Sequence, residues 1–216
     1  MIIDTCEIIA VRHGETVANK TGVLQGQLDT ALNEVGLQQA DAIAARLKKR
    51  HFDIAYSSDL CRAMVTAQKI VGLHPELELI PSPNLREWNL GELQGREYKD
   101  LIVEYPDIMQ AFKKGCDVPF VPGGESISDF HYRITSFMNE IAEANLGKKI
   151  LLVSHGGAMQ RMLVHTMGQL SANNIRPLCD NASMSVFKYK AGQWMLVTWN
   201  DTAHLEDIGT HNTLAF

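Results

Sequence analysis

Two strings decide how this chain is read: Ile8-Ile9-Ala10-Val11-Arg12-His13-Gly14-Glu15-Thr16 near its start and Ile150-Leu151-Leu152-Val153-Ser154-His155-Gly156-Gly157 far along it. In each, an unbroken apolar run leads into a histidine followed by glycine. Such a run suits a strand covered on both faces, as in a parallel sheet. The glycine lets a ligand approach the backbone closely. Open α/β sheets bind ligands beyond the carboxyl ends of their strands. One such histidine means little, but two at matching positions of two central strands make a site.

Working outward, Leu37, Ala40, Ala44 and Leu47 recur at helical spacing, with Asn33 as an N-cap. Residues 52–56 read as a second strand. Ser57 and Ser58 then read as caps of a helix carrying Leu60, Met64, Ala67 and Val71 on one face. Residues 77–80 make a third strand, closed by Pro81 and Pro83. From 84 to about 125 the texture changes: Gly91, Gly95, Pro106, Gly115, Pro119, Pro122, Gly123 and Gly124 separate short amphipathic pieces. That stretch is expected to be a small inserted helical cap over one edge of the sheet. A helix over about 127–144 leads to the second apolar strand. Beyond Gly156 and Gly157 another helix presents Met159, Met162, Leu163 and Met167 as its core face. Residues 185–189 and 194–199 alternate around Gly192, a hairpin signal. Strands alternating with helices predict an α/β sandwich with a mostly parallel central sheet.

The length, 216 residues, fits a single domain, 1–216, with a core that needs no disulfide or structural metal. Apolar residues at 45% and charged residues at 21% exclude a disordered chain. Twenty Lys and Arg against twenty-five Asp and Glu leave a net charge of −5, which argues against a nucleic-acid partner but allows a local basic pocket. Cys6, Cys61, Cys116 and Cys179 are scattered singly, a pattern of reduced thiols in a cytoplasmic protein. Neither a secretory leader nor a run of about 18 apolar residues stands out, so no membrane partner is expected.

Several motifs, in order along the chain, resemble the histidine phosphatase superfamily, the phosphoglycerate-mutase-like proteins. Arg12-His13-Gly14-Glu15-Thr16 is similar to that family's signature. Leu32 to Gln39 looks like its Leu-Thr-x-x-Gly-x-x-Gln segment, with Asn33 where threonine is usual. Ser57-Ser58-Asp59-Leu60-Cys61-Arg62-Ala63, Leu85-Arg86-Glu87 with Gly91 and Gly95, Pro122-Gly123-Gly124-Glu125-Ser126 and Ser154-His155-Gly156-Gly157 complete the set. The resemblance implies a three-layer αβα sandwich and phosphoryl transfer through a phosphohistidine, with a small phosphorylated substrate and no cofactor. It makes His13 the nucleophile and Glu87 the proton donor and later base. Asn19 and the N–H of Gly156 would be phosphate contacts. Asn181 and Ser183, in an Asn-x-Ser resembling the family's, have a less defined part in binding.

The chemistry of these residues agrees. Guanidinium forks match phosphate oxygens, so Arg12 and Arg62 are the expected clamps. His155 adds a donor and, if protonated, a charge. Nearby positive charge disfavours imidazolium and so keeps His13 neutral. Plainer readings exist for each. Arg62 could pair with Asp59 on a helix flank, Asn19 could be a turn residue, and Glu15, Glu92 or Glu97 could be the acid instead of Glu87. The other histidines read as surface or packing; a metal held by His204 and His211 has little behind it. A metal on His13, His155 and Glu87 is disfavoured, because a divalent ion about 5 Å from one arginine costs about 6–7 kcal/mol in repulsion at an effective dielectric of about 20.

Water as phosphoryl acceptor gives a phosphatase, and a second substrate hydroxyl gives a mutase. A mutase must hold a bisphosphate, but residues 97–125 offer Lys99, Lys113 and Lys114 against six acids, 3 − 6 = −3. The tail carries Glu206 and Asp207 rather than cations. Phosphatase is the expected activity, mutase the alternative, and a non-catalytic phosphate-binding protein a third reading. A homodimer is left open.

Overall fold

The central strands turn alternate side chains to opposite faces, and those of residues 8–11 and 150–153 are all apolar, so this chain builds two cores on either side of one sheet. The computed structural model describes residues 4–114 (side chains to 112), 119–168 and 177–209. Strands β1 (Cys6–Arg12), β2 (Ile54–Ser57), β3 (Leu79–Pro81), β4 (Lys149–Ser154), β5 (Met184–Lys190) and β6 (Gln193–Asp201) form a six-stranded sheet in the order β3-β2-β4-β1-β5-β6. The first four in that order are mutually parallel, while β5 pairs antiparallel with β1 and with β6. Ile8 and Ala10 with Ile150 and Leu152 belong to one apolar cluster; Ile9 and Val11 with Leu151 and Val153 belong to the other. Each fully buried aliphatic side chain contributes about 1.5–3 kcal/mol relative to exposure. This is the expected three-layer α/β architecture.

The helices fill the two outer layers: α1 (Val17–Thr21), α2 (Glu34–Leu47), α3 (Cys61–Val71), α4 (Tyr98–Glu104), α5 (Pro106–Lys114), α6 (Ile127–Ala144) and α7 (Gly156–Met167). α2 and α3 supply Ile43, Leu47, Ala63, Ala67 and Ile70 to one core. α6 supplies Phe130, Ile134, Phe137, Met138 and Ile141, and α7 Met159 and Met162, to the other. Asn33 caps α2 by accepting the N–H of Gly36, as the sequence predicts, and Ser126 caps α6 by accepting that of Asp129.

Three details differ from expectation. Neither Ser57 nor Ser58 is the N-cap of α3. Leu60 holds that position without a side-chain bond, and Asp29 accepts the Cys61 N–H at 2.7 Å from 32 residues away. Pro81 lies inside β3 rather than beyond it, which an edge strand tolerates because its outer N–H groups need no partner. Met167 is 56% exposed, because the apolar stripe of α7 turns to solvent in the last turn. Within 84–125, Trp88, Leu90, Leu93, Leu101, Met109, Phe112 and Val121 join the same cluster as Phe130 and Ile134. The Trp88 and Phe130 rings stack with centroids 5.9 Å apart, while Phe120 faces solvent. These aromatics are therefore mostly core shared with α6. Gly115, Cys116 and His211 lie outside the described residues.

Candidate active site

The register of the two central strands builds the site. Arg12 pairs with Ser154 across β1 and β4, so His13 and His155 leave the sheet side by side. Both are buried, with ring centroids 5.0 Å apart and planes at 62°. His13 Nδ1 lies 2.7 Å from the carbonyl oxygen of Gly14. With Nδ1–H donating there, Nε2 keeps its lone pair, and the Nε–H of Arg62 points at it from 3.3 Å. Burial first, then Arg62 and Arg12, hold the His13 pKa well below its ordinary value. A neutral imidazole with one fixed tautomer is a nucleophile in waiting.

His155 is likewise pushed well below its ordinary pKa, by burial and then by Arg62, His13, Arg12 and Arg133. Burial and these cationic neighbours disfavour its imidazolium form, against the added charge that protonation would bring. Its Nε2 sits 2.8 Å from Ser58 Oγ. With the Ser58 hydroxyl donating to Nε2, Nδ1 carries the proton, and Nδ1 is buried without a hydrogen-bond partner among the described residues.

The guanidiniums are anchored before any ligand arrives. Arg62 donates from Nη1 to Leu28 O at 2.7 Å and from Nη2 to Gly26 O at 2.8 Å. Burial pushes its pKa down to about 10, which still leaves it cationic near neutrality. Arg12 donates from Nη1 to Cys179 O, while its buried Nε–H has no partner among the described residues. Asp59 is not the mate of Arg62; it holds Arg86 through two bonds of 2.7 and 2.6 Å. An added Cβ at Gly156 would sit 3.2 Å from Arg12 Nε, so glycine lets the start of α7 close on that guanidinium. The Gly156 N–H, first of α7, has no partner inside its helix.

Glu87 borders this cluster. Its Oε1 accepts the N–H of Trp88 at 2.8 Å and its Oε2 that of Gly157 at 2.9 Å. The rival acids lie elsewhere. Glu15 is buried and takes the amide of Asn33 at 2.7 Å; Glu92 is exposed; Glu97 pairs with Lys99. Asn19 Oδ1 accepts from Thr16, and Asn181 Nδ2 donates to it at 3.3 Å and to the His13 carbonyl at 3.1 Å. The structure thus brings Arg12, His13, Arg62, Glu87, His155 and Gly156 together, with Asn19 and Asn181 bracing the His13 backbone. His204 donates from Nε2–H to the carbonyl oxygen of Ala182 at 3.0 Å.

Sequence reading missed the frame behind Glu87. Arg133 of α6 donates to the carbonyls of Asn84 at 3.0 Å, Arg86 at 2.9 Å and Glu87 at 3.2 Å, and pairs with Glu125. Glu125 also accepts the Asn89 N–H at 2.8 Å, which fixes the loop from both sides. The available signal was Arg133 lying beside Phe130 and Ile134 on a buried helix face. Gly14 and Gly36 form another unseen seam. A Cβ on Gly36 would lie 2.7 Å from Glu15 N, and Gln39 accepts that N–H at 2.9 Å.

Fold and site together place the chain among α/β proteins that receive an anion at the carboxyl ends of parallel strands. It belongs to the histidine phosphatase superfamily (branch 1), whose family model matches residues 8–202. It is 36% identical over 210 residues to phosphoglycerate mutase-like protein 4 of Arabidopsis thaliana, covering 96% of this chain and 90% of that one. Metal-independent phosphoserine phosphatase, also of Arabidopsis thaliana, is 36% identical over 208 residues, 95% of this chain and 86% of the relative. Among solved structures, a phosphoserine phosphatase of Entamoeba histolytica in complex with phosphoserine matches with a TM-score of 0.81 at 31% identity, over 93% of this chain and 99% of that one.

Proposed function

We propose that this protein is a phosphatase of small phosphorylated metabolites, working through a phosphohistidine on His13. One observation carries the reading: an imidazole with one fixed tautomer faces the Nε–H of Arg62, beside a buried Arg12 Nε–H that lacks an acceptor among the described residues. Buried donors without partners are uncommon in native proteins. A phosphate dianion satisfies them and is balanced by the two guanidiniums.

In the first step the His13 Nε2 lone pair attacks phosphorus and the P–O ester bond breaks. The leaving oxygen takes a proton from the Glu87 carboxyl. In the second, the Glu87 carboxylate takes a proton from water, the water oxygen bonds to phosphorus, and the P–N bond breaks to release phosphate. Ester and water become alcohol and phosphate, and His13 and Glu87 return to their starting forms. The arginines and the α7 N-terminus stabilise charge on the equatorial oxygens throughout.

Relatives at similar identity are described as a phosphatase and as a mutase-like protein. The acidic balance of residues 97–125 favours water as acceptor. A hydrolysis screen over phosphorylated metabolites tests this, with 3-phosphoglycerate plus 2,3-bisphosphoglycerate as the mutase arm. Phosphate release that disappears in His13→Ala is expected; isomerisation faster than any phosphate release overturns it.

Two finer readings belong with this proposal. No helix among the described residues is long and apolar enough to cross a membrane, and free Cys6, Cys61 and Cys179 suit a reducing cytoplasm. The edge strand β6 shows Met195 and Val197 to solvent, apolar surface that a second copy would cover.

A further inference from the structure

We propose that Arg161 is a specificity residue that binds an anionic substituent, a carboxylate first of all, on the part of the substrate that leaves as the alcohol. This rests on the phosphatase reading above and concerns the same site.

Arg161 lies on α7, four residues after Gly157, the residue whose N–H holds the Glu87 carboxylate. One turn of helix is about 5.4 Å, and helical side chains lean toward the N-terminus. Arg161 therefore shares a face of α7 with the N–H that holds Glu87, one turn further along, and its side chain leans back toward that turn. Its charge is felt by Glu87 and by His131 of α6. Burial lowers the Arg161 pKa and Glu87 opposes that shift, so the group is largely withdrawn from water.

Yet Arg161 makes no hydrogen bond and no ion pair among the described residues. Glu87 forms no ion pair with it among the described residues, and its two carboxylate oxygens accept backbone N–H groups instead. Arg12, Arg62, Arg86 and Arg133 are all fastened to carbonyls or carboxylates. Arg161 differs from these four: a half-buried cation on the turn after the one that holds the acid, with no acceptor among the described residues. A planar fork with free donors matches a carboxylate in two parallel bonds. The phosphoryl group occupies the His13 end, so the second anion belongs to the leaving group.

The test uses two substrate pairs that differ only by a carboxylate: O-phosphoserine against O-phosphoethanolamine, and 3-phosphoglycerate against glycerol 3-phosphate. Wild type is expected to prefer the acid of each pair. Arg161→Met should raise KM for the acids at least about tenfold, change their kcat less than about threefold, and leave the neutral esters within about threefold. Arg161→Lys should recover part of the loss. Its melting temperature should match wild type, because no protein partner is removed. Equal losses on both members of a pair, or a shifted pH profile with KM unchanged, would mean that Arg161 acts on Glu87 and would overturn the proposal. A wild type that prefers the neutral esters also overturns it. If wild type releases phosphate from no ester while folded, the phosphatase reading itself fails, a result separable from these.

Discussion

Substituting Gly157 by alanine separates the position of the acid from the stability of the fold. A Cβ there would overlap Glu87 Oε1 and lie 3.1 Å from its Cδ and 3.3 Å from Oε2. Ordinary nonbonded contacts need about 3.5 Å, so the carboxyl must retreat by about 1 Å. It is the far end of a side chain and moves without breaking the core, but it loses the 2.9 Å bond from Gly157 N–H. A misplacement of about 1 Å costs about a hundredfold in rate when the group must meet a reacting atom. Alanine in place of helical glycine, meanwhile, stabilises by up to about 1 kcal/mol. Gly157→Ala should therefore melt at or slightly above the wild-type temperature while kcat/KM on an alkyl phosphate falls about a hundredfold. An aryl phosphate, whose leaving oxygen needs little protonation, should lose much less in the phosphorylation step. The value of kcat/KM on both esters, which reports the phosphorylation step, and a thermal melt check it. Wild-type kcat/KM on the alkyl ester, or equal losses of kcat/KM on both, would refute Glu87 as the proton donor held by Gly157.

The buried histidines set a pH dependence of stability. Both have folded-state pKa values below the ordinary 6.5, so on acidification the unfolded chain binds protons first. The stability they allow is complete above about pH 6.5 and is lost as pH falls toward the folded-state values. Melting temperature should decline from about pH 7.5 to about 5.5, with a shallower decline in the His13→Asn, His155→Asn double variant; a flat wild-type profile contradicts the burial of two neutral imidazoles. At the seam between β1 and α2, Gly36→Ala would place a Cβ 2.7 Å from Glu15 N and 2.8 Å from Glu15 C, backbone that cannot swing aside. A loss of at least about 1–3 kcal/mol in urea unfolding is expected, and unchanged stability would show that the seam is looser than described.

Much of this was legible because the decisive signals are local. Unbroken apolar runs ending in His-Gly marked β1 and β4, and their parallel register, Arg12 against Ser154, then brought both histidines together. Asn33 was readable as a cap because its partner, the Gly36 N–H, is three residues away. What escaped depends on distance along the chain. The α3 N-terminus is capped by Asp29 across 32 residues, so the adjacent serines misled. Arg133 and Glu125 brace the Glu87 loop from α6 and its approach, which no motif spacing announces. Trp88, Leu90 and Phe112 show no spacing that says what they face, and their place in the core beside Phe130 comes only from tertiary packing. Arg161 carries no sequence mark at all; its interest comes from the turn of α7 that sets it beside Glu87.

The central claim is that phosphorus passes through the ring nitrogen of His13. Rapid acid-free quenching during turnover of a phosphorylated substrate, followed by peptide mass spectrometry, examines it directly. The account predicts a phosphoryl group on His13 that is lost in mild acid, accumulates in Glu87→Gln with a good leaving group, and is absent from His13→Ala. Turnover with no phosphorylated peptide, or with the label on another residue, would contradict it.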